Sequence, residues 1–88
     1  MKTYRLEILT PLGKSFSGEV THTLLPAEDG FVGVLARHAS YVTSSPGGRL
    51  EVRLSSGQTR SFRVGRGFFH FLADAAVFLT QTVETQHA

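Results

Sequence analysis

The chain has no cysteine, which excludes disulfides, thiolate chemistry and cysteine-ligated zinc. Its longest apolar region, Phe68 to Leu79, is broken by His70 and Asp74 and falls well short of the ~20 residues that a membrane-spanning helix needs. Met1-Lys2-Thr3-Tyr4 runs straight into an alternating pattern with no apolar h-region, so no signal peptide is expected. Charge of one sign is scarce too. Nine Lys and Arg against seven Asp and Glu leave a net charge of +2, which does not demand a nucleic-acid partner. The four histidines, His22, His38, His70 and His87, have no histidine partner at i+2 or i+4. Without local ligand spacing, no metal site is expected.

Signatures of catalysis are equally thin. Glu28-Asp29 before Gly30 reads as a turn, and no second acidic cluster supplies a carboxylate pair for acid/base work. Ser44-Ser45 lacks the context of a nucleophile elbow, and Gly65-Arg66-Gly67 lacks the third glycine and following helix of a dinucleotide site. We therefore expect no intrinsic enzyme activity, no cofactor and no small-molecule substrate.

What is present is an 88-residue chain with 41% hydrophobic residues, enough for one core and for a single domain spanning residues 1–88. Tyr4 to Thr10 alternates, with Leu6 and Ile8 on one face and Arg5 and Glu7 on the other, as a half-buried strand does. Pro11-Leu12-Gly13-Lys14 closes it. Further strands are expected around Ser15–Gly18, Val20–Pro26, Phe31–Leu35 and His38–Thr43, with Ser44 to Gly48 as a loop. In the next hairpin, Leu50, Val52, Leu54, Phe62 and Val64 must share a face. Pairing Leu50 with Val64 and Val52 with Phe62 achieves this, with Ser56-Gly57-Gln58 as a three-residue loop and Glu51 opposite Arg63.

Phe68-Phe69-His70-Phe71-Leu72 and Ala76-Val77-Phe78-Leu79-Thr80 then form a hairpin around Ala73-Asp74-Ala75 that is apolar on both faces. Phe69, Phe71 and Phe78 occupy one side, and Phe68, Leu72, Val77 and Leu79 the other. Such a strand pair is either central in a closed core or docked on a partner. Val83 to Ala88 is a polar tail expected to fray. Seven to ten short strands without an amphipathic helix imply an all-β chain, a sandwich or flattened barrel.

The stretch Glu28 to Val42 holds two glycines three apart, the apolar Val32, Val34 and Leu35, and an Arg37-His38 pair. With no chemistry to assign, it reads as a shaped contact surface. Both glycines suit a tight turn or bulge, and His38 suits either a hydrogen bond that fixes the loop or a partner contact. A different class of function, binding of single-stranded nucleic acid by a small β-barrel, would draw on Arg49, Arg53, Arg60, Arg63 and Arg66. Glu51 among them favours a solvated sheet face instead.

Five pieces in order carry a resemblance. They are Leu6-Glu7-Ile8-Leu9-Thr10-Pro11-Leu12-Gly13; Gly30-Phe31-Val32-Gly33-Val34-Leu35; His38; Pro46-Gly47-Gly48-Arg49-Leu50; and Val64-Gly65-Arg66-Gly67-Phe68-Phe69. Together, from about Tyr4 to Glu84, they resemble the N-terminal β-sandwich domain of the epsilon subunit of F-type ATP synthase, called delta in mitochondria. The resemblance implies a ten-stranded two-sheet sandwich and a non-catalytic subunit of the central rotor stalk. Such a subunit binds the gamma subunit and the c-ring and couples ion-driven rotation to ATP synthesis or hydrolysis. It lies peripherally at the cytoplasmic face of the inner membrane.

By the same resemblance Gly30, Phe31, Gly33, Arg37 and His38 face the c-ring, and Phe68, His70, Leu72, Val77 and Leu79 face gamma. The family's Leu-Pro-Gly-His-x-Pro is replaced here by Leu35-Ala36-Arg37-His38-Ala39-Ser40, which loses both prolines and the glycine. The family's C-terminal helical hairpin has no counterpart in this sequence, so no helix-mediated inhibition is assigned.

Overall fold

The computed structural model describes residues 2–86. Among them are nine strands: β1 (Tyr4–Thr10), β2 (Gly13–Ala27), β3 (Gly30–Leu35), β4 (Tyr41–Ser45), β5 (Gly48–Leu54), β6 (Thr59–Val64), β7 (Gly67–Leu72), β8 (Ala75–Thr80) and β9 (Val83–Gln86). Hydrogen bonding runs β4-β7-β8-β1-β2-β5-β6-β9, with β3 also on β2.

The all-β expectation holds, and the strand count of ten is corrected to nine. The sequence reads Ser15–Gly18 and Val20–Pro26 as separate strands, whereas β2 is one strand of 15 residues. Two register shifts explain the misreading. Ser15 is an extra residue against β1, and Thr21 an extra residue against β5. Each bulge resets the alternation, so one long strand looks like two short ones.

β2 also makes the sandwich. Its first part pairs with β1, and beyond the Thr21 bulge it pairs with β5 on one edge and β3 on the other. One layer is thus β4, β7, β8, β1 and the start of β2; the other is β3, the end of β2, β5, β6 and β9. Between them lies a core that includes Leu6, Ile8, Val20, Leu50, Phe62, Phe69 and Phe78. β1 is antiparallel to β2 but parallel to β8.

Tyr4 ties the layers at one end of the core. Its hydroxyl is 2.8 Å from the Val34 carbonyl and 2.6 Å from the Thr23 hydroxyl. With one proton to give, it donates to the carbonyl and accepts from the threonine. Burial pushes its pKa up to about 12, more than the Thr23 hydrogen bond lowers it.

The β5–β6 hairpin keeps the expected faces but is shifted by two residues. Leu50 lies opposite Phe62, Val52 opposite Arg60, and Arg49, not Glu51, opposite Arg63. The loop is Ser55-Ser56-Gly57, closed by Leu54 N–H donating to the Gln58 carbonyl at 2.8 Å. The last position of such a loop needs a left-handed residue. Gly57, at φ 94°, supplies it; the expected register would have put Gln58 there.

Two further expectations are revised. β4 starts at Tyr41 rather than His38 and runs through Ser45, which leaves Pro46-Gly47 as the connection to β5. Val83 to Gln86 does not fray but pairs with β6, Val83 against Val64. It covers backbone groups that would otherwise form an open edge. His87 and Ala88 lie outside the described residues.

Candidate partner-binding surfaces

The β7–β8 hairpin lies in its layer between β4 and β1. Pairing places Phe68 opposite Leu79, His70 opposite Val77 and Leu72 opposite Ala75, so these side chains share the outer face. Phe69, Phe71 and Phe78 fill the core from the other side. All five residues expected on one partner-facing surface (Phe68, His70, Leu72, Val77 and Leu79) therefore come together.

Across β4, Val42 opposite His70 extends that face, and across β1 Leu9 opposite Leu79 extends it the other way. Val42 is 74% exposed, Phe68 62%, Leu72 61% and Leu79 44%. Scattered single apolar residues are ordinary, but four on adjacent strands of one sheet face form a contiguous patch. Val42 lies within the expected strand His38–Thr43 but outside the expected partner-facing set, because its place beside His70 depends on β4 pairing with a strand distant in sequence. The patch has a polar border on β1. Lys14 Nζ lies 2.9 Å from Glu7, and that hydrogen bond holds the Glu7 carboxyl below its usual range.

The second expected surface is not one spot. Gly30 and Phe31 start β3, and Gly30, at φ 117°, makes the turn from β2 that the sequence suggests. Arg37 and His38 follow the other end of β3, about 20 Å away at strand spacing. What links them is the strip along β3, a strand that among the described residues pairs with β2 alone. Its outward side chains include the exposed Phe31 and Leu35. Gly33 is not a turn residue. A Cβ there would sit 3.1 Å from His22 Nε2, so this glycine makes room for the imidazole of the neighbouring strand.

The loop after β3 is held from three sides. Arg37 takes φ 66°, and its N–H donates to Asp74 Oδ1 at 2.7 Å. His38 N–H donates to the Leu35 carbonyl at 3.2 Å. The His38 ring is 2.7 Å from the Ala39 carbonyl through Nδ1, which places the proton on that nitrogen. The ring also packs edge-on against Tyr41 and Phe71. Of the two roles the sequence left open for His38, the loop-fixing hydrogen bond is thus observed.

Asp74 escaped sequence reading. Ala73-Asp74 is recognisable as a turn, but nothing local signals a bond to a residue 37 positions away.

The arginine face offers little for nucleic acid. Arg49 is engaged with Glu51 at 3.3 Å and the Ser61 hydroxyl at 3.0 Å. Arg60 lies over the Phe16 and Phe62 rings, and both rings are buried. Base-stacking platforms need exposed aromatics among the cations. Among the described residues no group of three or more His, Cys, Asp or Glu could hold a metal ion. No helix there is long and apolar enough to cross a membrane.

Residues 3–86 match the family described as "ATP synthase, Delta/Epsilon chain, beta-sandwich domain". The chain is 34% identical to the ATP synthase epsilon chain of Chlorobium limicola, over 93% of this chain and 93% of that protein. It is 39% identical to that of Ruminiclostridium cellulolyticum, over 96% of this chain but 62% of the relative. With the epsilon chain of a Sulfurihydrogenibium species the figures are 32%, 91% and 60%. The chain thus spans about three fifths of the length of some curated relatives and nearly all of others. Among solved structures, a chain of the Euglena gracilis mitochondrial ATP synthase (OSCP/F1/c-ring) superposes with a TM-score of 0.89 at 21% identity. That alignment covers 94% of this chain and 53% of the other, and at that identity it speaks for the fold.

Proposed function

The chain belongs to the β-sandwich family of ATP synthase delta and epsilon chains, and from that premise we propose that it is a central-stalk subunit joining gamma to the c-ring. In this reading it does no chemistry. The outer face of β7–β8, with Phe68, His70, Leu72, Val77 and Leu79, docks on gamma, and Val42 extends the contact. The strip from Gly30 to His38, with Phe31, Gly33 and Arg37, stands on the c-ring. The subunit lies peripherally at the cytoplasmic face of the inner membrane and passes rotation from ring to gamma.

The observation that carries the reading is the contiguous exposed apolar patch on a sheet face whose opposite side is fully packed. A hairpin already buried on one side gains nothing in the isolated chain from apolar residues on the other. It gains when a second protein covers them. Hot-spot behaviour is then expected of the aromatic anchor, Phe68.

The test is association with purified gamma. Phe68→Ser with Leu72→Ser should leave the melting temperature within a few degrees of wild type and weaken gamma binding by about tenfold or more. Unchanged gamma affinity in a folded double variant would refute this assignment of the face. Binding of single-stranded oligonucleotide at low salt, lost at high salt, would favour the arginine-face alternative.

A further inference from the structure

Backbone strain gathers at one corner of the domain. Among the described residues the non-glycine positions with positive φ are Arg37 at 66°, Ala73 at 51° and Asp74 at 57°. Ala73-Asp74 turns β7 into β8, a two-residue turn that needs left-handed backbone at both positions. Arg37 lies in a different loop, yet the two meet. Asp74 Oδ1 accepts from Arg37 N–H at 2.7 Å, and the Asp74 carbonyl accepts from Arg5 N–H at 3.2 Å.

Left-handed backbone costs a β-carbon-bearing residue energy, and it persists where its surroundings fix it. Arg37 occupies the position where the pattern Leu-Pro-Gly-His-x-Pro has glycine, for which that backbone is cheap. The flanking prolines that would stiffen the loop are replaced by Ala36 and Ser40. An external hold on Arg37 is therefore needed, and the Asp74 carboxylate is the group that supplies it. A carboxylate accepting a backbone N–H is a strong form of hydrogen bond.

We infer that Asp74 is the positioning residue that clamps the loop bearing Arg37 and His38 onto the β7–β8 hairpin. This rests on the proposed division of labour, in which the loop meets the ring and the hairpin meets gamma. On that division, Asp74 joins the two partner-facing surfaces at a single rigid corner. Torque entering at the loop then reaches the hairpin without being absorbed by loop motion.

Two variants separate the clamp from the turn. Asp74→Gly keeps a residue suited to left-handed backbone but removes the acceptor; Asp74→Asn keeps both. In the 88-residue chain, amide exchange at Arg37 should quicken about tenfold in Asp74→Gly, return toward wild type in Asp74→Asn, and stay unchanged at core amides such as Phe62. At the His38 amide, which bonds the Leu35 carbonyl and not Asp74, exchange should also quicken in Asp74→Gly, and adding Arg37→Gly should remove most of that effect because glycine takes the conformation unaided. Unchanged Arg37 exchange in Asp74→Gly, or strictly additive effects of the two changes, would overturn the clamp.

The partner reading is tested apart from this. Asp74→Gly should weaken c-ring association about fivefold or more in the assembled stalk. If wild type itself does not engage the ring, the division of labour fails while the exchange data still decide the clamp.

Discussion

Tyr4→Phe removes one oxygen from the inside of the sandwich and should be felt throughout it. Tyr4 is 1% exposed, and its ring packs edge-on against Phe71 at 5.2 Å. Phenylalanine preserves this packing, so the change isolates the hydroxyl. Its loss takes a donor from the Val34 carbonyl and leaves the fully buried Thr23 hydroxyl without its partner. Stranding a buried polar group costs about 1–3 kcal/mol. For a domain of this size each 1 kcal/mol shifts the melting temperature by about 4–8 °C, so a fall of about 5–20 °C is expected at pH 7.

A second readout comes from alkaline titration. The Tyr4 pKa is raised from its ordinary 10.0 to about 12 in the fold. The unfolded chain therefore releases this proton first, and the contribution is intact below about pH 10 and lost as pH rises toward 12. A shift of this size corresponds to on the order of 2–3 kcal/mol. Denaturant melts of both proteins across that window should show a steeper loss for wild type by about this amount, with the titrations common to both cancelling. Equal alkaline slopes, or an unshifted melting temperature in Tyr4→Phe, would refute the buried hydrogen-bonded hydroxyl.

Other substitutions probe the core and its backbone. Phe62→Ala should cost ~3–5 kcal/mol by urea denaturation, since Phe62 is buried against Phe16 and carries the Arg60 guanidinium at 5.3 Å from its centroid; an unchanged midpoint would contradict its place in the core. Gly67→Ala should largely abolish soluble folded protein, because its Cβ would collide with the Leu79 carbonyl oxygen of the paired strand; a well-folded variant would show that β7 and β8 are not so closely apposed.

Much of the architecture was legible because alternation is a local signal. Leu6 and Ile8 against Arg5 and Glu7, and the two-faced β7–β8 hairpin, are read directly from period-two patterns. Reading failed where an extra residue broke the period, at Ser15 and Thr21, and where the loop glycine decided a register that the apolar faces alone left open by two residues. The five residues expected to face gamma were legible as one cluster for the same reason as the strands, since they lie on one pleat. The residues expected to face the ring are instead spread along a strip, because sequence adjacency says nothing about which end of a strand a residue occupies. Asp74 was invisible because its partner is set by tertiary structure.

The parallel pairing of β1 with β8 has a consequence for biosynthesis. Arg5 finds Ala75 as its neighbour, and Leu9 finds Leu79, about seventy positions later. Until that part of the chain has left the ribosome, one edge of the nascent first strand stays unpaired and open to other chains. Contacts this distant in sequence slow folding relative to local ones. The first strand should thus be among the last to be sealed, and a ribosome stalled before residue 75 should carry a β1–β2 hairpin that is protease-sensitive and adhesive.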